Sequence, residues 1–180
     1  DRGVLSADRR NIEQYRMIVN KMVVSNAAKV YTEPADNSLC MEELVAGSRI
    51  AADDTGTSAF LRVTLPSGDE GFVSRGDIDD AGLSVKPGPA GILRRAAGFM
   101  GIPYLWGGAT TRGFDCSGLV KRVFDMEGVV LPRDSDLQAE CGEEIDPDDA
   151  VRSRPATLIF FSGGTGINHV AISAGRGNFI

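Results

Sequence analysis

The stretch Gly113-Phe-Asp-Cys-Ser-Gly-Leu-Val120 joins a turn to the apolar face of a helix, and its reading decides the fold of the C-terminal half. Leu119, Val120, Val123 and Phe124 fall on one side of a helix that begins after Asp115 and ends near Gly128, while Lys121 and Arg122 point elsewhere. Asp115 is of a type that caps a helix start, and Gly113 and Gly118 remove bulk where another backbone approaches. Cys116 then stands where the first helical N–H groups and the positive dipole end favour a thiolate, the attacking form of a cysteine. Taken alone it reads at least as well as a small core residue, the commoner fate of a free cysteine.

A second residue changes that balance. His169 is the single histidine of the chain, so near-neutral proton transfer by imidazole has one candidate. It opens His-Val-Ala-Ile-Ser173, whose alternation sets His169, Ala171 and Ser173 on one strand face and Val170 and Ile172 on the other. The small residues suggest room beside the ring. A cysteine and histidine distant in sequence pair readily in a folded nucleophilic site.

Working outward, Ile92, Leu93, Ala96, Phe99 and Met100 repeat at helical spacing, with a stop at Gly101 and Pro103 just beyond. After the Cys116 helix, strands are expected at Leu158 to Phe161, His169 to Ser173 and Asn178 to Ile180, an antiparallel meander divided by glycine-rich turns. The Pro- and Gly-rich run ending at Gly91 has the composition of a connection, taken as a linker over 81–91. Before it, short β-rich runs at Met22 to Val24, Ala28 to Tyr31, Ser48 to Ala51, Phe60 to Leu65 and Gly71 to Val73 suggest a small barrel over 22–80. Ile12, Tyr15, Val19 and Met22 mark an N-terminal packing helix in the segment 1–21 and its junction.

Composition narrows the function. The 180 residues are 42% apolar and 24% charged, the proportions of a folded globular chain. The net charge of −6, with basic residues scattered, disfavours nucleic acid and anionic lipid. No apolar run approaches the length that crosses a bilayer. The chain opens at Asp1 rather than Met and without a basic-then-apolar export signal, so prior removal of such a signal or of another leading segment stays open and compartment is not legible from this end. Cys40, Cys116 and Cys141 lack the close pairs of zinc sites; Cys40 and Cys141 are taken as inert. The acidic run Glu143-Glu-Ile-Asp-Pro-Asp-Asp149 reads as a solvated loop, not a metal cage. Trp106, the lone tryptophan, either floors a substrate-binding cleft or serves ordinary core or interdomain packing.

Five linked segments carry a resemblance: Gly101-Ile-Pro-Tyr-Leu-Trp-Gly-Gly108, Phe114-Asp-Cys-Ser-Gly-Leu-Val120, Leu131-Pro-Arg-Asp-Ser-Asp-Leu-Gln138, Leu158-Ile-Phe-Phe161 and Asn168-His-Val-Ala-Ile172. In order and spacing, residues 92–180 resemble the NlpC/P60 cysteine peptidases. That resemblance implies an α+β, papain-like catalytic domain cleaving amide bonds of bacterial cell-wall peptides, typically the D-γ-glutamyl-diamino acid bond of muropeptides, without a cofactor. It makes Cys116 the nucleophile and His169 the general base. Tyr104, at the family's active-site tyrosine, would serve the oxyanion or position substrate.

More weakly, Lys29-Val-Tyr-Thr-Glu-Pro34, Gly47-Ser-Arg-Ile50, Leu61-Arg-Val-Thr-Leu-Pro-Ser-Gly68 and Gly71-Phe-Val73 resemble a bacterial SH3-like β-barrel domain preceding the peptidase. By that likeness Asp115 and Ser117 hold the substrate's free amino end together with an acid from the SH3-like domain, Glu42 or Glu43. Peptidoglycan stem peptides or muropeptides are the implied partners. The implied setting is the bacterial envelope, with cytoplasmic recycling the other. The family's third polar residue, which orients the histidine, usually follows it by about a dozen positions and is expected just after Ile180; another side chain in that role, or an impaired protein, are the other readings. Two rival functions use the same residues: a wall- or partner-binding module whose peptidase domain is degenerate, and an acyl transferase that delivers the acyl group to an amine or alcohol.

Overall fold

In the N-terminal segment Tyr15 and Asn20 fasten a helix to a sheet. The computed structural model describes residues 9–54, 56, 58–80, 88–146, 154–164 and 166–180. Helix α1 spans Arg9–Ile18. The Tyr15 hydroxyl donates to the Thr64 carbonyl at 2.9 Å, and the Asn20 amide both donates to and accepts from the backbone of Ala52. The helix is shorter than its apolar spacing predicts, because Met22 lies instead in a strand hydrogen-bonded on both sides.

That strand is β1 (Lys21–Val23), followed by β2 (Ala27–Tyr31), β3 (Cys40–Val45), β4 (Arg49–Asp53), β5 (Phe60–Thr64), β6 (Glu70–Ser74) and β7 (Ile78–Asp80). They form one antiparallel sheet in the order β3-β2-β6-β5-β4-β1-β7. Alternate residues of β2, β5 and β6 are buried, and Val23, Ala28, Val30, Ile50, Leu61, Val63 and Val73 share a single core cluster. Each fully buried aliphatic side chain contributes about 1.5 to 3 kcal/mol. The Arg75–Asp54 ion pair is partly exposed and screened by solvent, so this cluster rather than the ion pair holds the sheet together.

Two of these strands escape the sequence pattern. The first four residues of β3 are exposed, and β7 has three residues, two of them exposed aspartates, so neither shows an alternating apolar signature. They are the two ends of the hydrogen-bonded order, and the backbone ladder does not close on itself as a barrel would. Both ends carry acids, Glu42 and Glu43 on β3 and Asp79 and Asp80 on β7, which discourage pairing with further strands.

The chain divides into two compact units, Asp1–Ser84 and Val85–Ile180. Most of the expected linker, 81–87, lies outside the described residues. Its last part differs from expectation: Pro89 opens helix α2 (Pro89–Gly98), where its missing N–H and fixed φ suit the first helical turn.

In this second unit, Ile92 and Ala96 form the buried stripe of α2, and the Phe99 ring meets that of Phe114 at 5.2 Å. Short strands β8 (Ala109–Thr110) and β9 (Gly113–Phe114) lead into helix α3 (Cys116–Met126). Helix α4 (Ser135–Ala139), too short to show a helical period, follows. Strands β10 (Leu158–Ser162), β11 (Ile167–Gly175) and β12 (Asn178–Phe179) make the antiparallel meander the turns predicted, with β11 central. Val120, Val123 and Met126 of α3 are buried, and α3 and α4 both pack against β11. Arg95 of α2 and Glu127 at the end of α3 join in an ion pair at 2.7 Å.

Candidate active site

Helix α3 begins where the sequence places it. Asp115 has extended backbone and is the N-cap, its Oδ1 accepting the Gly118 N–H at 2.7 Å. Cys116 is the first helical residue and a free thiol, neither buried nor fully exposed. The first-turn N–H groups of a helix point out of its start, so the sulfur and the backbone donors share one end of α3.

The segment before the cysteine is stitched to residues 103–108. Phe114 donates its N–H to Pro103 at 3.1 Å, and Leu105 donates to Phe114 at 2.9 Å. Asp115 donates to Gly108 at 3.0 Å, and Tyr104 bridges Phe114 in parallel pairing. Tyr104 is thereby fixed by its backbone against Phe114, which stands two positions before the nucleophile candidate, and its side chain is exposed. The close passage explains Gly118: a β-carbon there would run into the Gly108 carbonyl and the Asp115 carboxylate.

Asp115 is the hub of the polar contacts. Its Oδ1 accepts from Gly118 and, at 3.4 Å, from the Ser117 hydroxyl. Its Oδ2 accepts the Gly107 N–H at 3.0 Å and Nη2 of Arg133 at 2.6 Å. Burial alone raises its carboxyl, but the Arg133 hydrogen bond, the Gly118 and Gly107 N–H groups and the Arg133 charge outweigh it and hold the group below the usual aspartate range. The other arm of Arg133 donates from Nη1 to the Ser117 Oγ at 2.9 Å. The hydrogen bond to Asp115 leads the causes that push the guanidinium up, followed by the charges of Asp115, Asp134 and Cys116, while burial opposes them.

The chain that delivers Arg133 is itself tied down. Gln138, 2% exposed, donates from Nε2 to the carbonyls of Ser117 and Pro132 at 3.0 and 2.9 Å. Lys121 donates to the Leu131 carbonyl at 2.6 Å. These bonds fix residues 131–133 against the first two turns of α3.

His169 lies on β11, the strand against which α3 packs. It sits at the exposed end, opposite Phe161 of β10, with ring centroids 5.5 Å apart. The expectation of open space along this face is corrected. Ala171 and Ser173 are 3% and 0% exposed, because the strand is covered from Val170 to Ser173.

Trp106 is 88% exposed in the chain, which removes the core-packing reading. Glu42 and Glu43 belong to exposed residues of β3 in the first unit. Cys40 and Cys141 are free and exposed, and no metal-binding cluster of His, Cys, Asp or Glu occurs among the described residues; Asp148 and Asp149 of the acidic run lie outside them. Among the described residues no helix is long and apolar enough to cross a membrane. Sequence reading assigned no role to Arg133, Gln138 or the Gly107 N–H. The available signal was Leu131-Pro-Arg-Asp-Ser-Asp-Leu-Gln138, in which a lone arginine after proline looks like ordinary surface.

Comparison with known proteins covers both units. The profile of the NlpC/P60 family matches residues 101–180. The chain is 31% identical over 163 residues to a gamma-D-glutamyl-L-lysine dipeptidyl-peptidase of Bacillus subtilis (strain 168), a match covering 88% of this chain and 52% of that protein. It is 39% identical over 102 residues to the peptidoglycan endopeptidase RipB of Mycobacterium tuberculosis (strain CDC 1551 / Oshkosh), covering 49% of this chain and 41% of that one. A crystal structure of an NlpC/P60 family protein from Bacillus cereus ATCC 10987 superposes with a TM-score of 0.82 at 25% identity, over 96% of this chain and 57% of that one. The chain spans about half, or less, of the length of the curated relatives it matches.

Proposed function

We propose that the protein is a cysteine peptidase of bacterial cell-wall peptides, cutting after a γ-linked D-glutamyl residue, a reading supported by the match of residues 101–180 to the NlpC/P60 family. The observation that carries the reading is Cys116 as the first residue of α3, capped by Asp115, on a helix packed against the strand that bears the single histidine. The names of the Bacillus subtilis and Mycobacterium tuberculosis relatives support the substrate class.

In this mechanism the Cys116 sulfur adds to the glutamyl γ-carbonyl carbon, and the Cys116 proton resides on the His169 imidazole. The carbonyl oxygen, now negative, is met by the Cys116 N–H at the helix start and by the Tyr104 hydroxyl; one such donor contributes about 3 to 4 kcal/mol. Collapse breaks the amide bond, and the leaving amine takes the proton from the imidazolium. His169 then removes a proton from water, which hydrolyses the thioester, releases the carboxylate product and regenerates the thiol. Asp115 and Ser117 border the nucleophile and are the residues read as lying nearest the substrate's amino end, and Trp106, exposed in the chain, precedes Gly107, whose N–H reaches Asp115.

The first unit is read as an SH3-like domain, supported by its short antiparallel strands with one-sided burial. The envelope is the setting that this substrate implies.

The test is product analysis of L-Ala-γ-D-Glu-diamino acid tripeptide incubated with the protein. Release of L-Ala-D-Glu and the free diamino acid is expected. An unchanged tripeptide, or an adduct with added amine in place of hydrolysis, overturns the proposal.

A further inference from the structure

The Arg133 guanidinium touches the residues on both sides of the candidate nucleophile. Nη2 donates to Asp115 Oδ2 at 2.6 Å, Nη1 donates to Ser117 Oγ at 2.9 Å, and the intervening residue is Cys116. The arginine is not a loose surface group, because Gln138 and Lys121 hold the backbone of residues 131 and 132 to α3.

This geometry resolves a conflict at the helix start. Asp115 caps α3 and receives the Gly107 N–H, so it builds the site, yet its carboxylate is one residue from a sulfur that must become an anion. Two negative groups so close oppose each other, and a positive charge near both offsets the penalty.

We propose that Arg133 is a positioning residue for the nucleophile: its guanidinium cancels the charge of Asp115 beside Cys116 while pinning Asp115 and Ser117 in place. The inference rests on the reading of Cys116 as nucleophile, and it takes no part in binding substrate. Asp134 is the further acid facing the guanidinium, and the charge on Cys116 itself also acts on it.

The test reads the sulfur directly and needs no peptide substrate, so it stands apart from the fate of the peptidase assignment. The whole chain is alkylated with iodoacetamide, and the rate at the Cys116 peptide is followed by mass spectrometry. Cys40 and Cys141, both free and exposed, serve as internal references. At neutral pH, Arg133→Met is expected to slow alkylation of Cys116 on the order of tenfold, the scale of one close charge. At pH about 10, where thiols are ionised in any case, its rate is expected to match the parent's, which shows that access and fold are intact.

Adding Asp115→Asn to Arg133→Met is expected to restore most of the lost rate, since the amide keeps an oxygen for the Gly118 N–H but carries no charge. Asp115→Asn alone, with Arg133 retained, is expected to alkylate faster than the parent at neutral pH. An unchanged or slower rate in this arm counts against the proposal even where Arg133→Met does not fold. Parent-like alkylation of Arg133→Met, no rescue in the double variant, or an unchanged or slower rate in Asp115→Asn would each overturn the proposal.

Discussion

Phe161 stands directly across the β10–β11 ladder from His169, the two rings 5.5 Å apart and tilted by 38°. Phe161 also meets Phe179 of β12, with ring centroids 6.0 Å apart. The imidazole at the exposed end of β11 therefore has an aromatic wall that restricts its swing. Aromatic pairs of this kind contribute about 0.5 to 1.5 kcal/mol beyond buried area. Phe161→Ala is expected to lower kcat for the tripeptide by roughly three- to tenfold, the kinetic equivalent of that energy, with little change in KM. A parent-like kcat shows that the ring does not orient His169.

Gly118 marks the tightest passage in the site. A β-carbon at this position meets the Gly108 carbonyl and Asp115 Oδ1, so Gly118→Ala has to push the 103–108 segment off α3. The expected cost is about 1 to 3 kcal/mol in urea unfolding, with Cys116 displaced and activity lost in proportion. Equal midpoints for variant and parent contradict the close contact.

Capping by Asp115 has its own signature. Asp115→Ala removes the acceptor for the Gly118 N–H and leaves Arg133 without its carboxylate. Loss of a cap costs about 1 to 2 kcal/mol, and the stranded cation adds to it. Asp115→Asn is expected to recover the cap part alone, so denaturant midpoints should rank parent, Asn, Ala. An Ala variant as stable as the Asn variant contradicts the cap.

A second acid reports on the N-terminal unit. Hydrogen bonds from Lys21 and Arg75 hold the Asp54 carboxyl at about 2, below its ordinary value of 3.8. A depressed folded value means that the unfolded chain binds the proton more readily. The Asp54 contribution is thus complete above about 4 and is lost as pH falls through about 2. Thermal unfolding of the parent and Asp54→Asn should differ near neutral pH and converge toward pH about 2, a gap kept small by solvent screening. A difference independent of pH contradicts the ion pairs.

Legibility followed burial. β2, β5, β6 and the α3 helix each have one side in a core, and their apolar spacing alone located them. β3 has almost no buried face, β7 has three residues and α4 has five, so none carries a periodic signal long enough to read. Cys116 and His169 were visible as residue types that do chemistry at element ends. Arg133 and Gln138 were not, because their work is to hold Asp115, Ser117 and Pro132, and such contacts leave no trace in local pattern.

The central claim concerns a single sulfur. Cys116→Ala removes it while leaving the Asp115 cap and the Arg133 bonds, neither of which uses the Cys116 side chain. The direct measurement is the rate at which this variant releases L-Ala-D-Glu from the tripeptide, beside the parent and with folding checked by thermal melting. The account predicts a folded protein with no release above the uncatalysed background; release at the parent's rate would contradict it.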